Sequence, residues 1–237
     1  MANTSTLYDV AVIGGGPIGS QVAYKLADMG YQTIVLEKKE KLVAPVCCSG
    51  VVSLECVESY SIPDSVIYRR VKSAQLFSPK MKSLHIWRNT TQAAILNRPA
   101  FDALWADRAQ SAGAEYCLAS EVRRIQSTKK VALIDVIRHG EHLTLQARVA
   151  VLAAGFGSWL VDSLGLKGSS DFVMGAQSEV ETRNIEEVEA YFGSKIAPSF
   201  FAWLVPTIKG KALVGLLTRR NPPAYLRSLL SKLVAEG

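Results

Sequence analysis

The chain has 237 residues, 49% of them hydrophobic and 20% charged, with a formal net charge of +6. That length allows one large domain or two small ones around a substantial core, and the composition excludes a disordered or collagen-like chain. No apolar run reaches the roughly 18 residues that span a bilayer; the nearest, Val149–Leu160, is interrupted by Gly155 and Gly157.

The first residues, MANTST, carry neither the basic nor the apolar region of a signal peptide, which predicts a cytoplasmic protein. Cys47, Cys48, Cys56 and Cys117 form no C-x-x-C pair, so reduced thiols and no metal site are expected. Basic clusters at Arg69-Arg70-Lys72, Lys80-Lys82, Arg123-Arg124 and Lys129-Lys130 read first as a solvated face. The second reading is attraction to anionic phospholipid head groups and peripheral membrane contact. No recognition motif accompanies the charge, so nucleic acid is not an expected partner.

In chain order, Tyr8–Ile13 has the pattern of a fully buried parallel strand. It runs into Gly14-Gly15-Gly16-Pro17-Ile18-Gly19, followed by a helical pattern with Ile18, Val22, Leu26 and Met29 at three- and four-residue spacing and a stop at Gly30. Thr33–Leu36 is a second buried strand, ending in Glu37. Each part has a physical task in binding a dinucleotide. Gly14 permits the tight turn, Gly16 lets a pyrophosphate approach the backbone, and Gly19 lets the helix pack closely on the strands. The helix N-terminus presents free N–H groups to phosphate. Glu37 is placed to accept hydrogen bonds from a ribose diol and disfavours a 2′-phosphate.

A nicotinamide-dependent dehydrogenase domain would continue with further βα units, and this chain does not. Lys38–Gly50 is irregular and contains Pro45; Val71–Ser78 and Ser83–Trp87 read as antiparallel strands around a turn at Pro79-Lys80. A helix is expected over Pro99–Ala112, with Phe101, Leu104, Trp105 and Ala109 as its apolar stripe and Gly113 past its end. Glu115–Leu118 is a strand; Val122–Ile125, Val131–Ile137 and His142–Arg148 form a three-stranded meander, and Val149–Ala153 is a separate final buried strand. Beyond it, Phe172–Glu181, Val188–Phe192, Phe200–Val205 and Ala212–Leu217 predict another sheet, and Pro222–Ala235 a helix.

Three further segments narrow the reading: Cys47-Cys48-Ser49-Gly50, a C-x-x-G element; Arg98-Pro99-Ala100-Phe101-Asp102, opening the central helix; and Pro198-Ser199-Phe200-Phe201-Ala202-Trp203-Leu204-Val205-Pro206. With them the chain resembles, over nearly its whole length, the FAD-dependent geranylgeranyl reductase family of the aromatic-ring-hydroxylase-like flavoproteins. The last segment follows that family's P-x-x-Y-x-W-x-F-P motif, with Phe201 for Tyr and Val205 for Phe. The resemblance implies an α/β fold: a Rossmann-like FAD-binding domain with inserted antiparallel strands (1–66 and 92–165) and a β-rich substrate domain (67–91 and 166–225). Residues 226–237 would begin a C-terminal helical return.

The resemblance further implies FAD as cofactor, held by Gly14, Gly16, Pro17, Ile18, Gly19, Glu37, Lys38, Arg98, Val122, Ala154 and Gly155. It implies reduction of carbon–carbon double bonds in a polyprenyl lipid, quinone or pigment, with electrons from reduced nicotinamide or ferredoxin. Pro198, Phe201, Trp203 and Pro206 would bind substrate, and Cys47 is the candidate catalytic residue near the flavin. Two departures stand out. The family's A-D-G-x-x-S turn is here Ala153-Ala154-Gly155-Phe156-Gly157-Ser158, without the acid. The family's later G-D segment does not occur before Gly237, which implies a fragment or a truncated product. The alternatives are a flavin monooxygenase, a quinone-linked electron-transfer flavoprotein and a non-catalytic nucleotide-binding remnant; the Pro198–Pro206 segment argues against the monooxygenase.

Overall fold

A computed structural model of the protein describes residues 6–42, 47–169, 171–183 and 185–236; Pro45 lies outside them. The chain runs β1 (Leu7–Ile13), α1 (Pro17–Asp28), β2 (Thr33–Leu36), β3 (Val51–Ser53), α2 (Leu54–Ser59), β4 (Ile67–Val71), β5 (Ser73–Phe77), β6 (Ser83–Trp87) and β7 (Ala93–Leu96). It continues through α3 (Arg98–Ser111), β8 (Glu115–Cys117), β9 (Ser120–Ser127), β10 (Ala132–Arg138), β11 (Glu141–Leu152) and α4 (Trp159–Ser163). Last come β12 (Met174–Glu181), β13 (Val188–Phe192), β14 (Phe201–Pro206), β15 (Lys211–Thr218) and α5 (Pro222–Glu236). No helix among the described residues is long and apolar enough to cross a membrane. The chain divides into two compact units, 1–45 with 99–169 and 46–98 with 170–237.

The first unit is built on a six-stranded sheet of order β8-β2-β1-β11-β10-β9. Strand β2 lies between parallel partners, which is why all four of its residues are buried and apolar or small. Ile34, Val35 and Leu36 are essentially sealed from solvent, and each such side chain contributes about 1.5–3 kcal/mol by burial. The meander and the final strand, expected as separate pieces, are joined. β11 is one twelve-residue strand that pairs antiparallel with β10 and, from Gln146 to Leu152, parallel with β1. Its change of partner produces the change of pattern that reads as a break in the sequence.

Helix α1 also differs from expectation in its packing face. Gly19, Ser20, Ala23 and Ala27 are buried, whereas Ile18 and Met29 are exposed. A helix lying this close to β1 and β2 has room only for small residues on its inner face, and the larger ones flank it.

The second unit has a six-stranded sheet of order β12-β15-β14-β13-β5-β6, antiparallel except between β13 and β5. Helix α5 covers one face, where Leu229 is buried among Ala202, Leu204, Val214 and Leu216. The three-stranded sheet β3-β7-β4 packs elsewhere in this unit, with Val71 and Ile95 against Val205 and the half-buried Trp203. This ladder moves the boundaries expected from sequence. β3 and β4 both pair with β7, so 47–66 and 92–98 group with the second unit rather than the first. Helix α5 is also continuous across the expected boundary at 225/226.

Candidate functional site

In the first unit the glycine turn is fixed by backbone contacts. Gly14 N–H donates to Leu36 O at 2.8 Å and Ala153 N–H to Ile13 O at 2.9 Å, tying together the ends of β1, β2 and β11. Gly14 has φ of +110°, and a Cβ there would stand 2.3 Å from Ala153 O. A Cβ on Gly19 would stand 1.9 Å from Gly14 O, so both positions exclude a side chain. At Gly16 a Cβ would meet nothing within 4 Å. That open space lies over the N-terminus of α1, where Gly16 is the N-cap, Pro17 opens the helix and the first-turn N–H groups of Ile18 and Gly19 have no intrahelical acceptor. A pyrophosphate fits a cradle of this kind.

Glu37 is more deeply engaged than its expected role requires. Its carboxylate is nearly buried; Oε2 accepts from Gly15 N–H at 2.7 Å and Oε1 from Lys39 N–H at 2.9 Å. The side chain therefore clamps the glycine turn to the end of β2, and each oxygen keeps a lone pair for a ribose hydroxyl. Beside it lies a cavity of about 150 Å³ at the carboxyl ends of β1 and β2, lined by Gly14, Glu37, Lys38, Val122 and Ala154 among others. In an open α/β sheet the crevice at the carboxyl ends of the strands is where ligands bind. Strand β9 shifts register against β10 beside Val122, with Arg124 facing Asp135 and Val122 facing Val136, which brings the buried Val122 to the cavity wall.

Five residues expected from sequence thus share one cavity, with the turn residues Gly16, Pro17, Ile18 and Gly19 beside it. Gly155, exposed at φ of +75° in the loop after β11, does not line the cavity. Arg98 opens α3 at the edge of the second unit. Phe156 and Ser158, members of the Ala153–Ser158 turn, and Trp159 just after it also line the cavity, and none of the three was expected as a site residue.

In the second unit, strand alternation puts Phe201 and Trp203 on one face of β14, while Ala202 and Leu204 are buried on the other. The two rings meet edge to face at 6.1 Å, and Phe192, opposite Phe201, extends the row. Trp203, Gly215 and Gln177 are cross-strand neighbours on β14, β15 and β12. The indole lies flat over Gly215, where a Cβ would stand 2.5 Å from Trp203 Cζ2. Its Nε1–H donates to Gln177 Oε1 at 3.3 Å, and Gln177 Nε2 donates to Cys48 O at 3.3 Å. Cys47 Sγ is 3.5 Å from where a Gly175 side chain would begin. Gln177 thereby joins the C-x-x-G element to the tryptophan, and neither Gln177 nor Gly215 belongs to a motif visible in the sequence.

Cys47 is exposed, yet desolvation by its partial burial first, and the neighbouring Cys48 second, push its thiol above the ordinary pKa. Gly50, at φ of +74° with Leu96 O where a Cβ would stand, brings the C-x-x-G segment onto β7. Pro206 pairs with Ala212 and by alternation falls on the face opposite Trp203. Pro198 sits in the turn before β14. The two prolines bound the strand and do not join its aromatic row.

A family model described as an FAD binding domain matches residues 7–192. A digeranylgeranylglycerophospholipid reductase from Methanocaldococcus jannaschii is 29% identical over 228 residues, covering 92% of this chain and 57% of the relative. One from Methanocella arvoryzae is 30% identical, covering 97% and 63%. A solved geranylgeranyl bacteriochlorophyll reductase-like structure from Thermoplasma acidophilum superposes with a TM-score of 0.84 at 26% identity, over 95% of this chain and 62% of that one. The chain thus spans 57–63% of the length of these curated relatives. The mixed α/β architecture is that of the FAD-dependent hydroxylase-like flavoproteins.

Proposed function

The chain belongs to the FAD binding domain family, and from that premise we propose that it serves in FAD-dependent reduction of carbon–carbon double bonds in polyprenyl chains. The observation that carries the reading is the Gln177 bridge, which ties the C-x-x-G segment, at Cys48 O, to the indole of Trp203. The names of the relatives favour prenyl chains of glycerophospholipids, and a substrate of that class supports action at or beside a membrane surface.

Reduced FAD, when bound, supplies a hydride to one alkene carbon. The residues around it have separate tasks. The Gly14–Gly19 turn and the start of α1 hold the pyrophosphate. Glu37 orients the ribose, and Lys38, Val122 and Ala154 close around the nucleotide. Phe201 and Trp203 hold the prenyl chain and exclude water, while Pro198 and Pro206 bound the strand that carries them. Cys47 delivers a proton to the other alkene carbon, which completes the addition of two hydrogens, and regains that proton from solvent. An external two-electron supply, reduced nicotinamide or ferredoxin, restores the reduced cofactor.

The test begins with the visible spectrum of the purified chain after FAD reconstitution. Incubation with a chemical reductant and a geranylgeranyl lipid, followed by mass spectrometry, should then show gains of two hydrogens per double bond. Flavin binding with no mass gain would reject the reductase reading; failure to bind flavin would reject the nucleotide site as well.

A further inference from the structure

Between Asp64 and Asp102 the sequence contains no acidic residue, yet it holds Arg69, Arg70, Lys72, Lys80, Lys82, Arg88 and Arg98. Seven positive charges against none give this segment +7, more than the +6 of the whole chain. The fold concentrates four of them on one hairpin. β5 and β6 pair from Ser73–Trp87 to Phe77–Ser83, and β6 is an edge strand of its sheet. The turn is pinned: Ser78 N–H donates to Lys82 O, Met81 N–H to Ser78 O, and the Met81 side chain packs into the core beside α5. Lys80 is thereby held at the tip, Lys82 at one end of β6, and Arg88 with Lys72 at the other, Arg88 N–H donating to Lys72 O. None of these four side chains makes an ion pair among the described residues.

Strand β6 itself is apolar and open. Every residue from 82 to 90 is exposed, with Leu84 at 60%, Ile86 at 44% and Trp87 at 56%. Leu84 and Ile86 project from one face and Trp87 from the other, so the edge forms a wedge. An uncovered apolar edge strand is a template for association, and natural proteins ordinarily cover it or charge it. Here the charges flank the wedge instead of interrupting it. Only His85 points a polar group from its middle, and it is engaged with Glu187 at 3.1 Å.

We infer that the β5–β6 hairpin is a docking edge for an anionic phospholipid surface, with Leu84, Ile86 and Trp87 entering the head-group boundary and Lys72, Lys80, Lys82 and Arg88 meeting the phosphates. Tryptophan at an interface and lysines or arginines over acidic lipid are each favoured there. A second copy of the chain fits worse. Two β6 edges paired antiparallel about a two-fold axis through His85 would set Ser83 against Trp87, and therefore Lys82 against Arg88 at both ends, a like-charge opposition that destabilises a ladder. The inference shares its purpose with the prenyl-lipid reading but is tested without flavin or turnover, so either can fail alone.

The experiment is co-sedimentation of the purified chain with phosphatidylcholine vesicles, with and without phosphatidylglycerol, at low and high salt. The chain should partition onto the anionic vesicles, stay in solution with neutral ones, and be released by salt. Each basic residue near the surface is worth about fivefold in partition, so Lys80→Glu with Lys82→Glu and Arg88→Glu should lower binding by a hundredfold or more. Leu84→Ser with Ile86→Ser and Trp87→Ser should also release it. All six positions are exposed or at a strand edge, and circular dichroism checks that both variants fold. Equal binding to neutral and anionic vesicles, no binding to either, full binding by the charge variant, or a dimer that the same substitutions dissolve would each overturn the inference.

Discussion

The two candidate regions use glycine against opposite partners. At the nucleotide turn, Gly19 makes room for the backbone oxygen of Gly14, 1.9 Å from where its Cβ would be. On the second sheet, Gly215 makes room for a side chain, the indole of Trp203 at 2.5 Å. The first region is built from main chain: strand ends, a helix N-terminus and a carboxylate clamped by two N–H groups. The second is built from side chains laid across three strands. A main-chain site cannot yield to an intruding atom without moving an element, whereas a side-chain site can yield by moving one ring. Substitutions should therefore abolish binding in the first region and reshape it in the second.

The largest effect is expected for Gly19→Ala. The new methyl can be relieved only by lifting α1 from β1, an overpacking that costs about 1–3 kcal/mol, and the phosphate cradle moves with the helix. FAD binding, followed by flavin fluorescence or calorimetry, should be lost; retention of FAD at wild-type affinity would break the main-chain account. Glu37→Gln comes next. Its carboxylate accepts two backbone donors, and an amide offers one acceptor and a nitrogen facing an N–H. An orphaned buried donor costs about 1–3 kcal/mol, so both thermal stability and FAD affinity should fall, the latter about tenfold.

Gly215→Ala should act differently. The added methyl meets the indole, which is held by Gln177 and by Phe201, and displaces it from the sheet. Affinity for a geranylgeranyl lipid, read by equilibrium binding, should drop about tenfold for the roughly 1–2 kcal/mol of misfit, while FAD binding is unchanged. Gln177→Met is smaller still. It keeps the volume but leaves the indole N–H without its acceptor, worth about 1 kcal/mol, and should weaken lipid binding severalfold without touching the nucleotide site.

The order of these effects follows what the sequence made legible. The turn from Gly14 to Glu37 could be read because its contacts are local: a strand, six turn residues, a helix and a strand lie within thirty residues, and each glycine has one backbone reason to be there. The aromatic pair Phe201 and Trp203 could be read because strand alternation is also local. Gln177 and Gly215 could not, because their meaning comes from register, and β12 and β15 are paired across more than thirty residues of chain. The same holds for the domain limits: β3 and β4 carry no mark of belonging with β7 until the ladder forms. Strand β11 was misread for the converse reason. It changes from an antiparallel to a parallel partner midway, so its local pattern changes although the backbone does not break.

A comparison of two carboxylates carries the smallest prediction. Glu37 is met by two N–H donors, whereas Glu189 on β13 is partly buried beside the cleft between the sheet and α5 with the Tyr191 hydroxyl as its donor. Burial is the main influence on Glu189 and raises its pKa, the tyrosine bond opposes it, and the nearby Glu187 adds to it. A carboxyl with a raised folded-state pKa holds its proton longer in the native state than in the unfolded one. Between the ordinary carboxylate pKa and the raised one, the native state therefore binds more protons, and stability falls as pH rises through that window. Below it the contribution is absent as a penalty; above it the penalty is complete and flat. Glu189→Gln removes the titrating group while keeping an acceptor for Tyr191, so the variant should be more stable than wild type at neutral pH and should lose that part of the slope. Denaturant midpoints across the mildly acidic range test this. A wild-type slope that persists unchanged in the variant would assign the pH dependence to another group, and would mean that the second sheet tolerates its buried charge as readily as the first unit tolerates Glu37.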